Sequence, residues 1–278
     1  MTSQASVASI ISTPAVPKRP KPNRLFALAL FLLFVHPCAA QKSSASKAEL
    51  DAITARGRLL AEYDVAAWHS TDAVQALNPD KASVGRYIGR KTDTGWVVEY
   101  GHLNSARDRF QIAYEASQGA RPDQFVVTKL DPPREDKGFY LFAARAIEAA
   151  LANFQGAGVP YNVYVLPADD GQIYVYFVPG QTSNDVYYYG ADARYLISAD
   201  GLTIVEQRQL HKSLLQFNPK PQGVKTLASG YHTHVLSDVP EDTDVFYVLN
   251  RHPLIPEYIG TKKRIYVIAT DGTIAIGK

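Results

Sequence analysis

Residues 161–178, YNVYVLPADDGQIYVYFV, decide the fold. Two runs rich in tyrosine and valine, residues 161–167 and 172–178, flank the turn sequence ADDG. Tyrosine and valine favour strands, and Asp-Gly suits the positive φ angles that a tight hairpin turn needs. The stretch therefore predicts an antiparallel hairpin within a larger sheet.

The segments on either side of this hairpin predict a mixture of helix and sheet. Before it, the apolar residues of 139–154 recur at helical spacing and predict an amphipathic helix. After it, alternating segments predict strands at 187–189, 193–198, 203–209, 227–236, 257–259, 264–268 and 273–276, with a short helix at 242–250. Residues 139–278 thus form a predicted mixed helix and sheet module of an α+β protein.

The residues before position 139 predict a second, smaller module. Residues 48–77 carry apolar side chains every three or four positions and contain no proline, which predicts one long helix or two abutting helices. Four short strands at 86–91, 95–101, 109–115 and 124–130 follow as an antiparallel meander. The module spans 48–133, and the polar, proline-containing segment 131–138 is the predicted link to the next module.

The first forty residues predict a signal peptide. Basic residues precede a short apolar run at 25–35, and small residues surround Ala40, after which we expect cleavage. Residues 41–47 would then be a flexible spacer. We expect an exported protein, periplasmic or secreted, or one anchored in the membrane if the leader is not cleaved.

Removal of this leader changes the composition of the chain. The 29 basic residues fall by the four in the leader to 25, against 27 acidic residues, so the exported chain has a net charge of −2. This charge gives no electrostatic basis for binding nucleic acid. The single cysteine, Cys38, lies in the leader, so the exported chain would have no disulfide, thiolate ligand or cysteine nucleophile.

Residues 230–244, GYHTHVLSDVPEDTD, contain two histidines and four carboxylates, the side chains most suited to bind a metal. His232 and His234 on one strand point to the same side, about 6.6 Å apart along the strand. Two imidazoles at this spacing can share a zinc ion, with a carboxylate from the following helix as third ligand and water as fourth. Asp244 is the expected third ligand, and Asp238 and Asp242 are alternatives.

This pattern resembles the zinc signature of the JAMM (JAB/MPN) metalloproteases, H-x-H-x10-D, and the order of elements over residues 139–278 is similar to that fold. The resemblance implies that His232, His234 and Asp244 bind zinc and that a glutamate on the first strand after the first helix is the general base. Departures occur at several positions: nine residues separate His234 from Asp244, Val235 replaces a proline, Glu241 replaces a serine, and Asn162 stands where the glutamate is expected.

An amide cannot accept a proton from water at neutral pH, so Asn162 leaves the hydrolytic mechanism without its base. Glu148 and Glu206 are the weak candidates to replace it. The acidic residues also have a structural interpretation, because Asp238, Asp242 or Asp244 at the start of a helix favours capping and the helix dipole. Both histidines could equally be ordinary polar positions on a sheet face.

Three further features admit a functional interpretation. His211 could approach the histidine pair in space, or pair with Ser213 as base and nucleophile. His69 could face Asp72 one helical turn away. The tyrosine-rich strands could present a sugar- or peptide-binding face, although tyrosines at alternate positions are usually half-buried in a sheet.

Two functions follow from the sequence. The first is a non-catalytic or degenerate JAMM-like envelope protein that binds a protein, peptide or small ligand. The second is a zinc-dependent hydrolase of the peptidase or isopeptidase class that uses a metal-bound water. We expect neither nucleic acid nor, after cleavage of the leader, a membrane as partner.

Overall fold

A computed structural model describes residues 45–181, 186–219 and 226–277. The predicted signal peptide and residues 41–44 of the predicted spacer lie outside these ranges. The three helices of the described residues are α1 (Lys47–Gln75), α2 (Phe139–Leu151) and α3 (Asp242–Asn250). The Ser46 side chain caps α1 by accepting a hydrogen bond from the Glu49 amide at 3.1 Å, which explains why this long helix starts there. None of the helices in these ranges has both the length and the hydropathy needed to span a bilayer.

The first sheet is an antiparallel meander, as predicted, with strand order β1-β2-β3-β4. Its strands are β1 (Arg86–Thr92), β2 (Gly95–Leu103), β3 (Phe110–Gln118) and β4 (Phe125–Asp136). The predicted link at 131–138 is wrong over most of its length, because β4 continues through it and pairs again with β3, Asp136 opposite Phe110. Pro132 and Pro133 are tolerated because β4 is an edge strand and they lie beside an irregularity in its pairing.

The second sheet contains the hairpin on which the fold prediction rests. Strands β5 (Tyr161–Pro167), β6 (Ile173–Pro179), β8 (Ala193–Ile197) and β9 (Ile204–Gln209) form an antiparallel sheet in the order β5-β6-β8-β9. Asp170 and Gly171 have φ angles of 53° and 71° in the turn, as the Asp-Gly sequence predicts. Strands β7 (Tyr187–Gly190) and β10 (Leu214–Phe217) form a separate two-stranded sheet, of which β10 was not predicted.

The third sheet carries the histidine pair. Its strands are β11 (Gly230–Thr233), β12 (Glu257–Gly260), β13 (Ile265–Ile268) and β14 (Ile274–Ile276), in the order β11-β12-β13-β14. β11 runs parallel to β12, and α3 lies between them in the chain. β11 is shorter than the strand predicted at 227–236, but the His234 amide still donates to the Gly260 carbonyl at 2.8 Å, so His234 follows the line of the strand.

The hydrophobic core draws on both predicted modules. Leu60 and Trp96, from the first, share one cluster with Tyr164 and Phe246 from the second. A further cluster joins the sheets around α2, and a third packs the start of α1 against α3 and the third sheet. The fold is therefore α+β, with α1 in contact with residues from both halves of the chain.

Gly57 allows an unusually close approach of α1 to α3. A β-carbon at this position would lie 2.4 Å from Val245 Cβ and 2.5 Å from the Asp242 carbonyl oxygen. Any side chain would therefore force the two helices apart. The first turn of α3, which carries Asp244, is held against α1 by this contact.

A buried carboxyl in the first sheet makes stability depend on pH. Glu99 on β2 is 1% exposed and pairs with Arg134, which also contacts Glu115 at 2.9 Å. Burial raises the pKa of Glu99 to about 8; the Arg134 charge opposes this rise and the Glu115 charge adds to it. Between the ordinary pKa of 4.5 and about 8, the folded chain holds a proton that the unfolded chain has released, so stability falls as pH rises through this range.

Glu99→Gln removes this titration. The parent protein should lose stability from pH 5 to pH 9, whereas the variant should not lose it through this group. The difference in the free energy of unfolding, variant minus parent, should therefore increase by about 2–4 kcal/mol over this range, since one pKa unit corresponds to about 1.4 kcal/mol. Urea unfolding at both pH values measures it. Glu62→Gln, an exposed glutamate paired with Lys91, is the matched control and should show no such trend. A difference for Glu99→Gln that is the same at both pH values would contradict the prediction.

Candidate metal centre

Four buried side chains meet at the junction of the second and third sheets. His232 lies on β11, His234 directly after it, and Asp244 in the first turn of α3, so the structure brings the three predicted ligands together. The fourth is His211, which follows β9. One ligand atom from each residue lies within 4.8 Å of those of the others.

The distances within the cluster resemble the edges of a coordination tetrahedron. The Nε2 atom of His234 lies 2.9 Å from that of His211 and 3.1 Å from that of His232. The Asp244 Oδ1 atom lies 3.0 Å from His232 Nε2 and 3.1 Å from His211 Nε2, and Oδ2 lies 3.2 Å from His234 Nε2. Ligands of a tetrahedral zinc ion lie about 3.4 Å apart. These five distances are a few tenths of an ångström shorter than that, so the atoms would have to move apart by this amount to hold the ion.

Each histidine uses its other ring nitrogen to contact an acceptor outside the cluster. His211 Nδ1 lies 2.7 Å from Asp192 Oδ1, His232 Nδ1 lies 2.8 Å from Glu257 Oε1, and His234 Nδ1 lies 2.9 Å from the Val239 carbonyl oxygen. A carbonyl only accepts, so His234 Nδ1 carries a hydrogen, and the two carboxylates favour the same tautomer for the other rings. In their neutral forms all three rings then direct Nε2 lone pairs at one point, which is the arrangement of metal-ligating histidines.

The electrostatics of the cluster favour a positive charge at its centre. Burial disfavours protonated His211, but Asp192 and Asp244 outweigh it and hold the pKa of His211 well above its usual range. Burial likewise opposes protonation of His232, but its bonds to Asp244 and Glu257 raise its pKa to about 9. Burial would raise the pKa of Asp244, yet the surrounding histidines hold it well below the usual range. Without a metal, protons supply the charge that the carboxylate requires.

The start of α3 fixes Asp244 in this position. The Glu241 amide donates to Asp244 Oδ2 at 2.6 Å, so the carboxylate also closes the first turn of the helix. The structural interpretation of this residue, an acidic side chain at a helix start, therefore holds alongside its place in the cluster. One carboxylate is oriented by the backbone and aimed at three imidazoles.

The two alternative ligands lie in other interactions. Asp242 contacts Arg56 Nη2 at 2.8 Å, Arg194 Nη1 at 2.6 Å and the Tyr176 hydroxyl at 2.8 Å. Asp238 pairs with Lys263 at 3.0 Å. Neither belongs to the cluster, because Asp242 is held by Arg56 and Arg194 and Asp238 by Lys263.

The predicted general bases also lie elsewhere. Glu148 on α2 pairs with Arg107, and with Arg86 at 3.7 Å. Glu206 lies 3.8 Å from Arg208 on the same strand. Asn162 lines a separate cleft, which also contains Asp64 and the tyrosines of β7. None of the three belongs to the group around Asp244.

The interpretation of His211 and Ser213 as base and nucleophile is wrong. Ser213 is exposed, whereas His211 is buried with both ring nitrogens engaged, so the two do not form a base and nucleophile. His69 stacks on Trp68, with ring centroids 4.6 Å apart, and lines a groove together with Asp72, so a contact between His69 and Asp72 stays a prediction. The sequence indicates that His211 could approach the pair, and the structure places it there. It does not indicate Asp192, the partner of His211, or Glu257, the partner of His232, since no local pattern links residues so far apart in the chain.

Comparison with protein-family models, curated proteins and solved structures found no match for this chain. The resemblance to JAMM metalloproteases thus stays a prediction.

Proposed function

We propose that this protein binds one zinc ion through Nε2 of His211, His232 and His234 and through the carboxylate of Asp244, and that the centre is non-catalytic. The observation that carries the proposal is the convergence of three imidazole nitrogens on one carboxylate, with every Nδ1 already held by an acceptor. Such a set of lone pairs in a buried site needs a cation.

The donor set favours zinc among the divalent metals. Three imidazoles and one carboxylate in a tetrahedral arrangement suit zinc, whereas calcium and magnesium prefer six or more oxygen ligands. Copper(II) binds imidazole tightly but prefers a tetragonal arrangement.

The number of protein ligands argues against hydrolysis. Structural zinc sites have four protein ligands, whereas hydrolytic sites have three and a water. His211 takes the position in which the sequence predicted water, and His234 and Asp244 are 5% and 2% exposed. The zinc ion would then tie the segment after β9 to β11 and α3. The hydrolase alternative requires His211 to leave the metal and a base other than Glu148 or Glu206.

The ligand set also bears on the predicted role of the protein. A closed centre stabilises a scaffold, and the scaffold can then present a binding surface. We therefore favour the non-catalytic exported protein that binds a ligand or partner over the hydrolase.

Two measurements test the proposal. Elemental analysis of protein purified without a histidine tag should show one zinc per chain, and less than about a tenth of that in His234→Ala and Asp244→Ala. Substoichiometric metal in all three samples alike would overturn metal binding. For the closed centre, the absorption spectrum of the cobalt-substituted protein should not respond to azide, whereas that of His211→Ala should, because an exchangeable position has been opened. An azide response in the parent protein would overturn the closed centre and favour hydrolysis.

Glu257, which accepts a hydrogen bond from His232 Nδ1, should affect the affinity for zinc. Glu257→Gln weakens the bond that orients the ring and should lower zinc affinity about 10–100-fold, since partners of ligating histidines typically contribute this much. Competition with a chromophoric chelator measures the affinity. Glu206→Gln, a glutamate outside the centre, is the matched control. Equal affinities of the two variants would show that Glu257 serves only its ion pair with Arg251.

A further inference from the structure

A cleft separate from the metal centre is lined by aromatic and polar side chains. Its walls include residues of α1, β7, β10 and α3. The cavity volume available to the centre of a water molecule is about 80 Å³. Its lining includes Asp64, Asn162, Tyr187, Tyr189, Phe217 and Asn250. A space of this size suits one small ring or the end of a longer ligand.

Aromatic rings form two sides of the cleft. Tyr187 and Phe217 lie with ring centroids 6.2 Å apart at 62°, and Tyr189 and Tyr247 lie 5.6 Å apart at 65°. All four rings line the same space. Steeply inclined rings present both flat faces and edges to a ligand, so they provide surfaces on which an apolar ring face can stack.

These rings separate the tyrosine-rich strands into two kinds. Tyr164 and Tyr176 are completely buried in the core and have packing roles. The tyrosines of β7 are only partly buried and line the cleft. In this cleft, the ligand-binding interpretation of the sequence therefore concerns the tyrosines of β7.

The carboxyl of Asp64 lies on another side of the cleft and plays no part in capping its helix. Asp64 is in the middle of α1, where it caps nothing. It accepts hydrogen bonds from the Tyr164 hydroxyl and, at 3.1 Å, from the Asn250 amide, both of which are neutral. Burial raises the pKa of Asp64. The amide of Asn162 lies beside it in the lining, so the cleft offers several donors and acceptors.

Among the lining residues that the structure describes, the one cationic side chain is already balanced. Arg251 pairs with Glu257 at 2.6 Å, donates to the Ile255 carbonyl at 2.9 Å and lies over the Phe217 ring at 5.1 Å from its centroid. It is therefore poorly placed to bind an anion. Recognition in the cleft depends on amides, a carboxyl, phenols and ring faces, with little net charge.

From this combination we propose that the cleft binds a neutral sugar ring, such as the terminal residue of a glycan. A pyranose presents an apolar face that stacks on aromatic rings and hydroxyl groups that both donate and accept hydrogen bonds. Amides such as Asn162 and Asn250 also do both. The proposal does not rest on the zinc centre, although the Tyr189 and His232 rings are neighbours, 5.5 Å apart.

Ligand-observed NMR with the full chain tests the proposal, using glucose, galactose, mannose and N-acetylglucosamine as probes and choline as a cationic comparison. We expect saturable binding of at least one sugar, weakened about tenfold or more in Asn162→Ala and Tyr187→Ala, because each loses a hydrogen-bonding or stacking partner. Tyr231→Ala, an exposed tyrosine on β11, is the matched control and should bind as the parent protein does.

Circular dichroism and zinc content of the same samples show whether each variant is folded and whether the metal centre is intact. If an alanine variant does not fold, Asp64→Asn replaces it, with the same expected loss. The proposal is overturned if no sugar binds, if binding is equally strong in the folded cleft variants, or if choline binds and the sugars do not. The last result would identify an aromatic cage for ammonium groups.

Discussion

Removal of zinc with a chelator is expected to lower the melting temperature of the protein by about 10 °C. A ligand present at about 1,000 times its dissociation constant stabilises the folded state by about 4 kcal/mol, and in a chain of this size each kcal/mol corresponds to about 2–4 °C. The effect should be large because the four ligands come from three separated parts of the chain, the segment after β9, the β11 region and α3. Differential scanning calorimetry with and without chelator measures it.

Asp244→Ala provides the control for this experiment. It should melt at a lower temperature than the parent protein and should not respond to the chelator, because it holds no zinc to remove. The same melting temperature for zinc-loaded and chelated parent protein would show that the ion does not stabilise the fold.

The second large effect is expected for Asp242→Ala, which should lower the free energy of unfolding by about 3–5 kcal/mol. Loss of this carboxylate leaves Arg194, whose side chain is 8% exposed, buried without its counter-charge. Arg56 and Tyr176 lose a hydrogen-bond partner at the same time. Urea unfolding measures the change.

The experiment is best run in the presence of a chelator. If Asp242 stabilises the fold through its ion pairs, Asp242→Ala lowers the free energy of unfolding even when no metal is bound. If Asp242 acted instead as a metal ligand, the substitution would have no effect once zinc is removed. Asp238→Ala is the matched control, since its pair with Lys263 is partly exposed and contributes at most about 1 kcal/mol. A loss for Asp242→Ala no larger than that of the control would contradict the prediction.

Local signals account for what the sequence could predict. The hairpin of β5 and β6 follows from its strand-forming residues and its Asp-Gly turn, and α3 matches its predicted bounds because an acidic start precedes a helical pattern. The convergence of His232 and His234 follows from strand geometry alone. Asp244 is placed correctly because the chain has few ways to return from β11 to the parallel strand β12.

Other features depend on contacts that are distant in sequence. The continuation of β4 through Pro132 and Pro133 was missed because a proline usually ends a strand, and only its position at a sheet edge makes it acceptable. His211 follows β9 and meets His232, His234 and Asp244 only in the fold, which no local pattern specifies. Asp242 looks like a ligand in sequence, but Arg56 and Arg194 contact it in the fold, 186 and 48 positions away.

The contact at Gly57 makes the two halves of the chain depend on each other in sequence. α1 contributes Arg56 to Asp242 and leaves space at Gly57 for α3, which carries Asp244. A substitution in the first third of the sequence can therefore disturb Asp244, the proposed metal ligand near its end. Residues 139–278 depend on α1 for this packing, so a change on α1 or α3 at this contact should require a matching change on the other helix.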